Sequence, residues 1–109
     1  SEACVEDLVI KGRLLDFYGV LLTERQRYCM EQHCENDLSL SEIAEELGVS
    51  RQAVHDNLQR ASQLLNEYES KLQLVAQDIK REETIQAIQE ALQETTISAD
   101  EIKALLNRL

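Results

Sequence analysis

Ser39 to Ala61 reads S-L-S-E-I-A-E-E-L-G-V-S-R-Q-A-V-H-D-N-L-Q-R-A, two short amphipathic helices with a tight turn between them. Ser39 and, three residues on, Glu42 form a capping box, in which each side chain takes up a backbone N–H that a first helical turn leaves without a partner. Leu40, Ile43, Ala44 and Leu47 then recur at helical spacing and share one face. Ala44 is small where two steeply crossed helices must approach. Gly48 follows, where a chain leaving a helix adopts a left-handed conformation at least cost on glycine, and Val49 turns back to the core. Ser50 is placed to cap a second helix. In that helix Val54 and Leu58 face inward, and Arg51, Gln52, His55, Asp56, Gln59 and Arg60 face outward. Small, glycine and valine at 44, 48 and 54, set among apolar 43, 47, 49 and 58, is the spacing of a helix-turn-helix.

Upstream, Val5 to Leu22 reads as a helix. Val5, Leu8, Val9, Leu15 and Leu22 make one face, widened by Leu14, Phe17, Tyr18 and Leu21. Gly12 and Gly19 lower its helix propensity but would admit a close neighbour. Thr23-Glu24-Arg25-Gln26 is a second capping box, opening a helix to about Cys34, and Glu35-Asn36-Asp37 is a polar loop leading into the helix-turn-helix.

Downstream, the apolar positions continue without a break as Val54, Leu58, Ala61, Leu65, Tyr68, Leu72, Val75 and Ile79, and neither Gly nor Pro interrupts them. The pattern predicts one helix through Ile79, about 26 residues from Val54 and roughly 39 Å long at about 1.5 Å per residue. Only its first part fits against a small helix-turn-helix unit. The rest must be covered by the tail or by a second copy of the chain. The tail offers a helical pattern over Glu82–Glu94, with Ile85, Ile88, Ala91 and Leu92 inward. A third capping box, Ser98-Ala99-Asp100-Glu101, precedes Ile102, Leu105, Leu106 and Leu109. The organisation read from this is a helix-turn-helix domain with its long helix over residues 1–81, and a helical extension over 82–109.

With 109 residues, no proline, three glycines and no alternating β-branched runs, the chain is read as all-α. Its net charge is −10, from 11 bases against 21 acids. Nucleic-acid affinity comes largely from cations that neutralise phosphates, so an acidic chain with Arg51 and Arg60 on its reading helix should bind DNA weakly as a monomer and gain from a homodimer. An acidic surface also suits a protein-interaction module that docks a basic partner, with the helix-turn-helix as scaffold.

Cys4, Cys29 and Cys34 are odd in number and contain no Cys-x-x-Cys, which points to reduced thiols. Cys29 and His33 share a helix face, but no further ligands lie nearby in sequence, so no metal site and no cofactor is expected. The acids Glu2, Glu6, Asp7, Asp16 and Glu24 are wrong for a signal peptide, and no apolar run reaches the ~20 residues of a membrane span. A soluble, cytoplasmic protein is expected. Phosphate-cradling, nucleophile-elbow and His-Glu-x-x-His patterns are missing, no catalytic residues are assigned, and the expectation is a protein that acts by binding.

Leu22-Thr23-Glu24-Arg25-Gln26 followed by Leu38 to Arg51 resembles region 4 of bacterial sigma factors, the helix-turn-helix that reads a promoter element. Leu14-Leu15-Asp16-Phe17-Tyr18, Leu21-Leu22-Thr23, Ser50-Arg51-Gln52-Ala53-Val54, Asp56-Asn57 and Tyr68-Glu69-Ser70-Lys71-Leu72 are similar to the YlxM-type family of small bacterial proteins, over about residues 8–80. The chain departs from that pattern at His55, where an aromatic residue is expected. The resemblance implies a sigma-region-4-like helix-turn-helix protein with a long helix after the turn. It also implies an accessory role in the signal recognition particle pathway, through signal recognition particle components as partners, or a role as a regulator. In the DNA-binding reading, Ser50 and the start of the second helix meet phosphate, Arg51, Gln52, His55 and Gln59 face the major groove, and Arg60 holds the backbone.

Overall fold

The computed structural model describes residues 5–94 and 98–109, with side chains described from Val9 onward. Among these residues there are six α-helices, a short 3-10 turn and no strand: α1 (Val5–Tyr18), the 3-10 turn (Gly19–Leu21), α2 (Glu24–Cys34), α3 (Leu40–Leu47), α4 (Arg51–Leu72), α5 (Leu74–Leu92) and α6 (Ala99–Leu106). The all-α fold is as the composition implies. The chain packs as two units, the first ending at Gln73 and the second spanning Leu74–Leu109.

In the first unit α2, α3 and α1 all pack against α4. Cys29, Ile43, Ala44 and Val54 make the centre of the helix-turn-helix, flanked by Leu38, Leu40, Leu47, Val49 and Leu58. Leu14, Leu15, Tyr18, Leu22, Met30, Ala61 and Leu65 are buried too. Both upstream capping boxes form. Thr23 accepts from the Gln26 N–H while the Gln26 side chain accepts from the Thr23 N–H, and Ser39 and Glu42 do the same. Gly48 ends α3 at φ 67°, ψ 34°. Its N–H donates to the Glu45 carbonyl, and the Val49 N–H reaches back to the Ala44 carbonyl at 3.0 Å. This six-to-one, five-to-two pairing satisfies the Ala44 and Glu45 carbonyls as the chain reverses into α4.

The first helix differs from its sequence reading in its inward set. Leu14, Leu15, Tyr18 and Leu22 are buried, whereas Val9, Phe17 and Leu21 are exposed; the Val5 and Leu8 side chains, expected on the inward face, lie outside the described residues, as does Cys4. Gly12 does not serve a close approach, since an added Cβ would meet nothing within 4 Å. Gly19 is more crowded, but by its own preceding turn: such a Cβ would meet Leu15 Cδ1 at 3.2 Å, while Arg27 Nε of α2 stands at an ordinary 3.6 Å. The Tyr18 hydroxyl donates to Glu69 Oε1 at 2.6 Å and its ring lies 5.9 Å from that of Tyr68, pinning the end of α1 to the far end of α4.

The continuous helix predicted through Ile79 is not formed. Gln73 adopts a left-handed conformation, φ 55°, and donates its N–H to the Glu69 carbonyl as the C-cap of α4. A new helix then begins at Leu74 and runs through residues 81 and 82 to Leu92. The apolar period crosses the break undisturbed, and for that reason periodicity alone gives no sign of it. In the second unit α5 packs with α6. Its inward set also differs from the reading: Thr84 is fully buried, its hydroxyl donating to the Lys80 carbonyl, while Ile85 and Leu92 are exposed and Ile88 and Ala91 are half-buried. Ser98 caps α6, its hydroxyl accepting from the Glu101 N–H at 3.1 Å, which is one half of the predicted capping box. No helix among the described residues is long and apolar enough to cross a membrane.

Candidate nucleic-acid interface

The outward face of α4 is set by its inward face. Val54 is fully buried beneath α3, and with that residue fixed the helical period turns Arg51, Gln52, His55, Asp56, Gln59 and Arg60 to solvent, where all six are exposed. Ser50 opens the helix as N-cap, its hydroxyl accepting from the Ala53 N–H at 3.0 Å. The other first-turn N–H groups have no intrahelical acceptor. No acid stands in that first turn, so the positive end of the helix dipole is left for an external anion.

The predicted residues fall into three positions. Ser50, Arg51 and Gln52 surround the helix start. His55 and Gln59 lie one and two turns on, and also line a groove of about 450 Å³ whose apolar part comes from Met30, Leu40 and Leu58. Arg60 stands apart from that groove, exposed on the third turn.

Two neighbours were not legible from spacing. Lys11, from α1, lines the same groove as His55 and Gln59, a proximity created by the packing of α1 on α4. Asp56 is the second: Gln52 Nε2 donates to Asp56 Oδ1 at 2.9 Å, and His55 Nδ1 lies 3.6 Å from the same oxygen. One carboxylate thus sits between two of the groups proposed to read bases.

The two groups that share a helix face at metal-ligand spacing are engaged elsewhere. His33 donates its Nδ1–H to the Leu38 carbonyl at 2.9 Å, fastening the loop between α2 and α3. Cys29 belongs to the core, where burial pushes its thiol up against a smaller opposing pull from Arg25. Burial likewise raises the Cys34 thiol, with Lys11 pulling the other way and Glu35 adding to the rise. Among the described residues no group of His, Cys, Asp and Glu is placed to hold a metal ion. The Tyr28 hydroxyl donates to Glu46 Oε2 at 2.7 Å, a bond that raises the phenol pKa and ties α2 to α3.

A helix-turn-helix profile, described as YlxM / p13 like and designated UPF0122, matches residues 6–105, nearly the whole chain. The chain belongs to this family. It is 50% identical over 96 residues to the UPF0122 protein of Halalkalibacterium halodurans, a match covering 88% of this chain and 87% of that one. Against the UPF0122 protein of Bacillus mycoides the identity is 42% over the same shares. Against that of Streptococcus gordonii it is 40% over 92 residues, 84% of each chain. The family match reaches past Arg81 into α6, further than the signature residues of the YlxM-type resemblance.

Proposed function

We infer that this UPF0122 chain is a DNA-binding regulatory protein that inserts the start of α4 into the major groove. Carrying the reading is one observation: a helix whose inner face is locked by fully buried Val54 presents Arg51, Gln52, His55, Gln59 and Arg60 to solvent behind an uncompensated, Ser50-capped N-terminus. Ser50 and the first-turn N–H groups take a phosphate, Arg51 and Gln52 reach base edges, His55 and Gln59 follow along the groove, and Arg60 contacts the backbone. In this reading the protein works in the cytoplasm and by binding rather than by catalysis, and its resemblance to YlxM-type proteins supports a part in the signal recognition particle pathway.

A homodimer belongs to this reading, because two reading helices bring together more cations than one acidic chain carries. Ile10, Phe17, Val20 and Leu21 leave an exposed apolar strip along α1 and the 3-10 turn that suits a second copy. Sedimentation at micromolar concentration tests it, and a monomer mass removes it.

The test of DNA binding is a salt-dependent shift of bacterial promoter fragments, which Arg51→Ala should weaken about tenfold. No shift with any fragment defeats the reading. A second reading, a protein-interaction module for a basic partner such as a signal recognition particle component, is favoured by the Asp56 carboxylate within the outward face and by the net charge of −10. Pull-down from bacterial lysate with and without nuclease separates the two. A partner that survives nuclease selects the second, and loss of every partner selects the first.

A further inference from the structure

The second unit, Leu74–Leu109, is acidic, with four bases (Lys80, Arg81, Lys103, Arg108) against seven acids (Asp78, Glu82, Glu83, Glu90, Glu94, Asp100, Glu101). Three of those four bases nevertheless converge. Lys80 and Arg81 on α5 and Arg108 just beyond α6 line one groove of about 200 Å³ together with Gln77 and Leu109. No acidic side chain lines it. None of the three cations has an ion-pair partner among the described residues, although acids outnumber bases in the same unit.

Like charges gathered without an acidic side chain among them repel each other, and a chain this rich in Asp and Glu could have neutralised them. The lining is also chemically one-sided. An ammonium and two guanidiniums only donate, and the Gln77 amide adds donors beside its one carbonyl oxygen, so the side chains of the groove offer many N–H groups and no carboxylate. A ligand that satisfies such a set carries several anionic acceptor oxygens in a compact group, and paired guanidiniums match the oxygens of a phosphate in geometry as well as charge.

We propose that Lys80, Arg81 and Arg108 form a phosphate-binding site for the sugar–phosphate backbone of nucleic acid, separate from the outward face of α4. The site is indifferent to base sequence, and supplies cations that α4, with only Arg51 and Arg60 on its outward face, lacks. Its nucleic-acid half rests on the reading of the chain as a DNA-binding protein. Its phosphate half does not.

The experiment uses the full chain labelled with nitrogen-15. Inorganic phosphate is titrated while the side-chain Nε–H resonances of Arg81 and Arg108 are followed, and in parallel the affinity for a duplex is measured across a salt series. Phosphate should shift both resonances saturably. The triple variant Lys80→Gln/Arg81→Gln/Arg108→Gln should lower the slope of log affinity against log salt by about 2 to 3 while leaving discrimination between duplexes unchanged. The charge-conserving variant Arg81→Lys/Arg108→Lys should keep the slope.

Unmoved resonances in the wild-type protein at about 20 mM phosphate overturn the site. Shifts with phosphate and an unchanged duplex slope in the triple variant overturn the nucleic-acid assignment in favour of free phosphate. A duplex affinity that falls in the triple variant but not in Arg51→Ala upholds the site and defeats the assignment to α4. Phosphate shifts with no duplex bound at all uphold the phosphate half alone and defeat both the nucleic-acid half and the reading of α4.

Discussion

Gln52 Nε2 donates to Asp56 Oδ1 at 2.9 Å, one turn apart on the outward face of α4. The bond holds the amide along the helix, and if α4 binds DNA as proposed, the exposed carboxylate repels the phosphates. Asp56→Asn keeps an oxygen for Gln52 and removes the charge. DNA affinity should rise roughly fivefold, equivalent to about 1 kcal/mol for one exposed charge, with the gain shrinking as salt is added. Fluorescence anisotropy over a salt series measures it. An affinity that falls instead would mean that Asp56 serves recognition, by accepting from a base or by orienting His55.

Gly48 and Gly12 both stand in open space, with nothing within 4 Å of an added Cβ. They differ only in backbone, since Gly48 has φ 67° and Gly12 lies inside α1. Gly48→Ala should therefore cost about 1 kcal/mol through left-handed strain alone. Gly12→Ala should stabilise by roughly 0.5–1 kcal/mol, because alanine loses less freedom in a helix. Urea unfolding of both variants at constant m-value tests the pair, and opposite signs are the diagnostic outcome.

Gln73 holds a left-handed conformation at φ 55° without glycine's freedom. Gln73→Gly should stabilise the junction by about 1 kcal/mol, and Gln73→Ala should leave it nearly unchanged, since neither residue escapes the Cβ clash. Thermal unfolding compares the three. If Gln73→Ala instead raised stability and helicity together, α4 and α5 would be joining into the uninterrupted helix that the apolar period suggests.

That junction marks where the sequence stops being legible. Ser39, Glu42, Gly48, Ser50 and Val54 act locally, each through a cap, a turn or a register, so the helix-turn-helix could be read residue by residue. The break at Gln73 has no such marker: Gln is an ordinary helix former, and Leu72 and Val75 stay in period across it. Burial of Thr84 in place of Ile85 is equally hidden, because a threonine whose hydroxyl bonds back to the Lys80 carbonyl carries its own polar partner inward. The candidate site divides the same way. The outward set on α4 follows from Val54, whereas Lys11 beside His55, and Arg108 beside Lys80 and Arg81, depend on how helices pack and leave no trace in spacing.

Burial pushes the thiols of Cys29 and Cys34 up, and the bond to Glu46 does the same for the Tyr28 phenol. All three are groups whose neutral form the fold favours. Their contribution to stability is complete below the unfolded-state values, about 8.5 for a thiol and about 10 for a phenol. It is lost as pH rises through the higher folded values. The urea midpoint should accordingly hold steady from pH 7 to about 8 and fall above that. In Tyr28→Phe the decline that remains belongs to the thiols. Alkylation at pH 8 in Cys4→Ser separates those two. Cys34, half-buried, should react more slowly than a free thiol, and Cys29, fully buried, only through opening of the core, so that added urea accelerates Cys29 far more than Cys34. Equal acceleration of both would show that the α2 end around Cys34 opens only with the core.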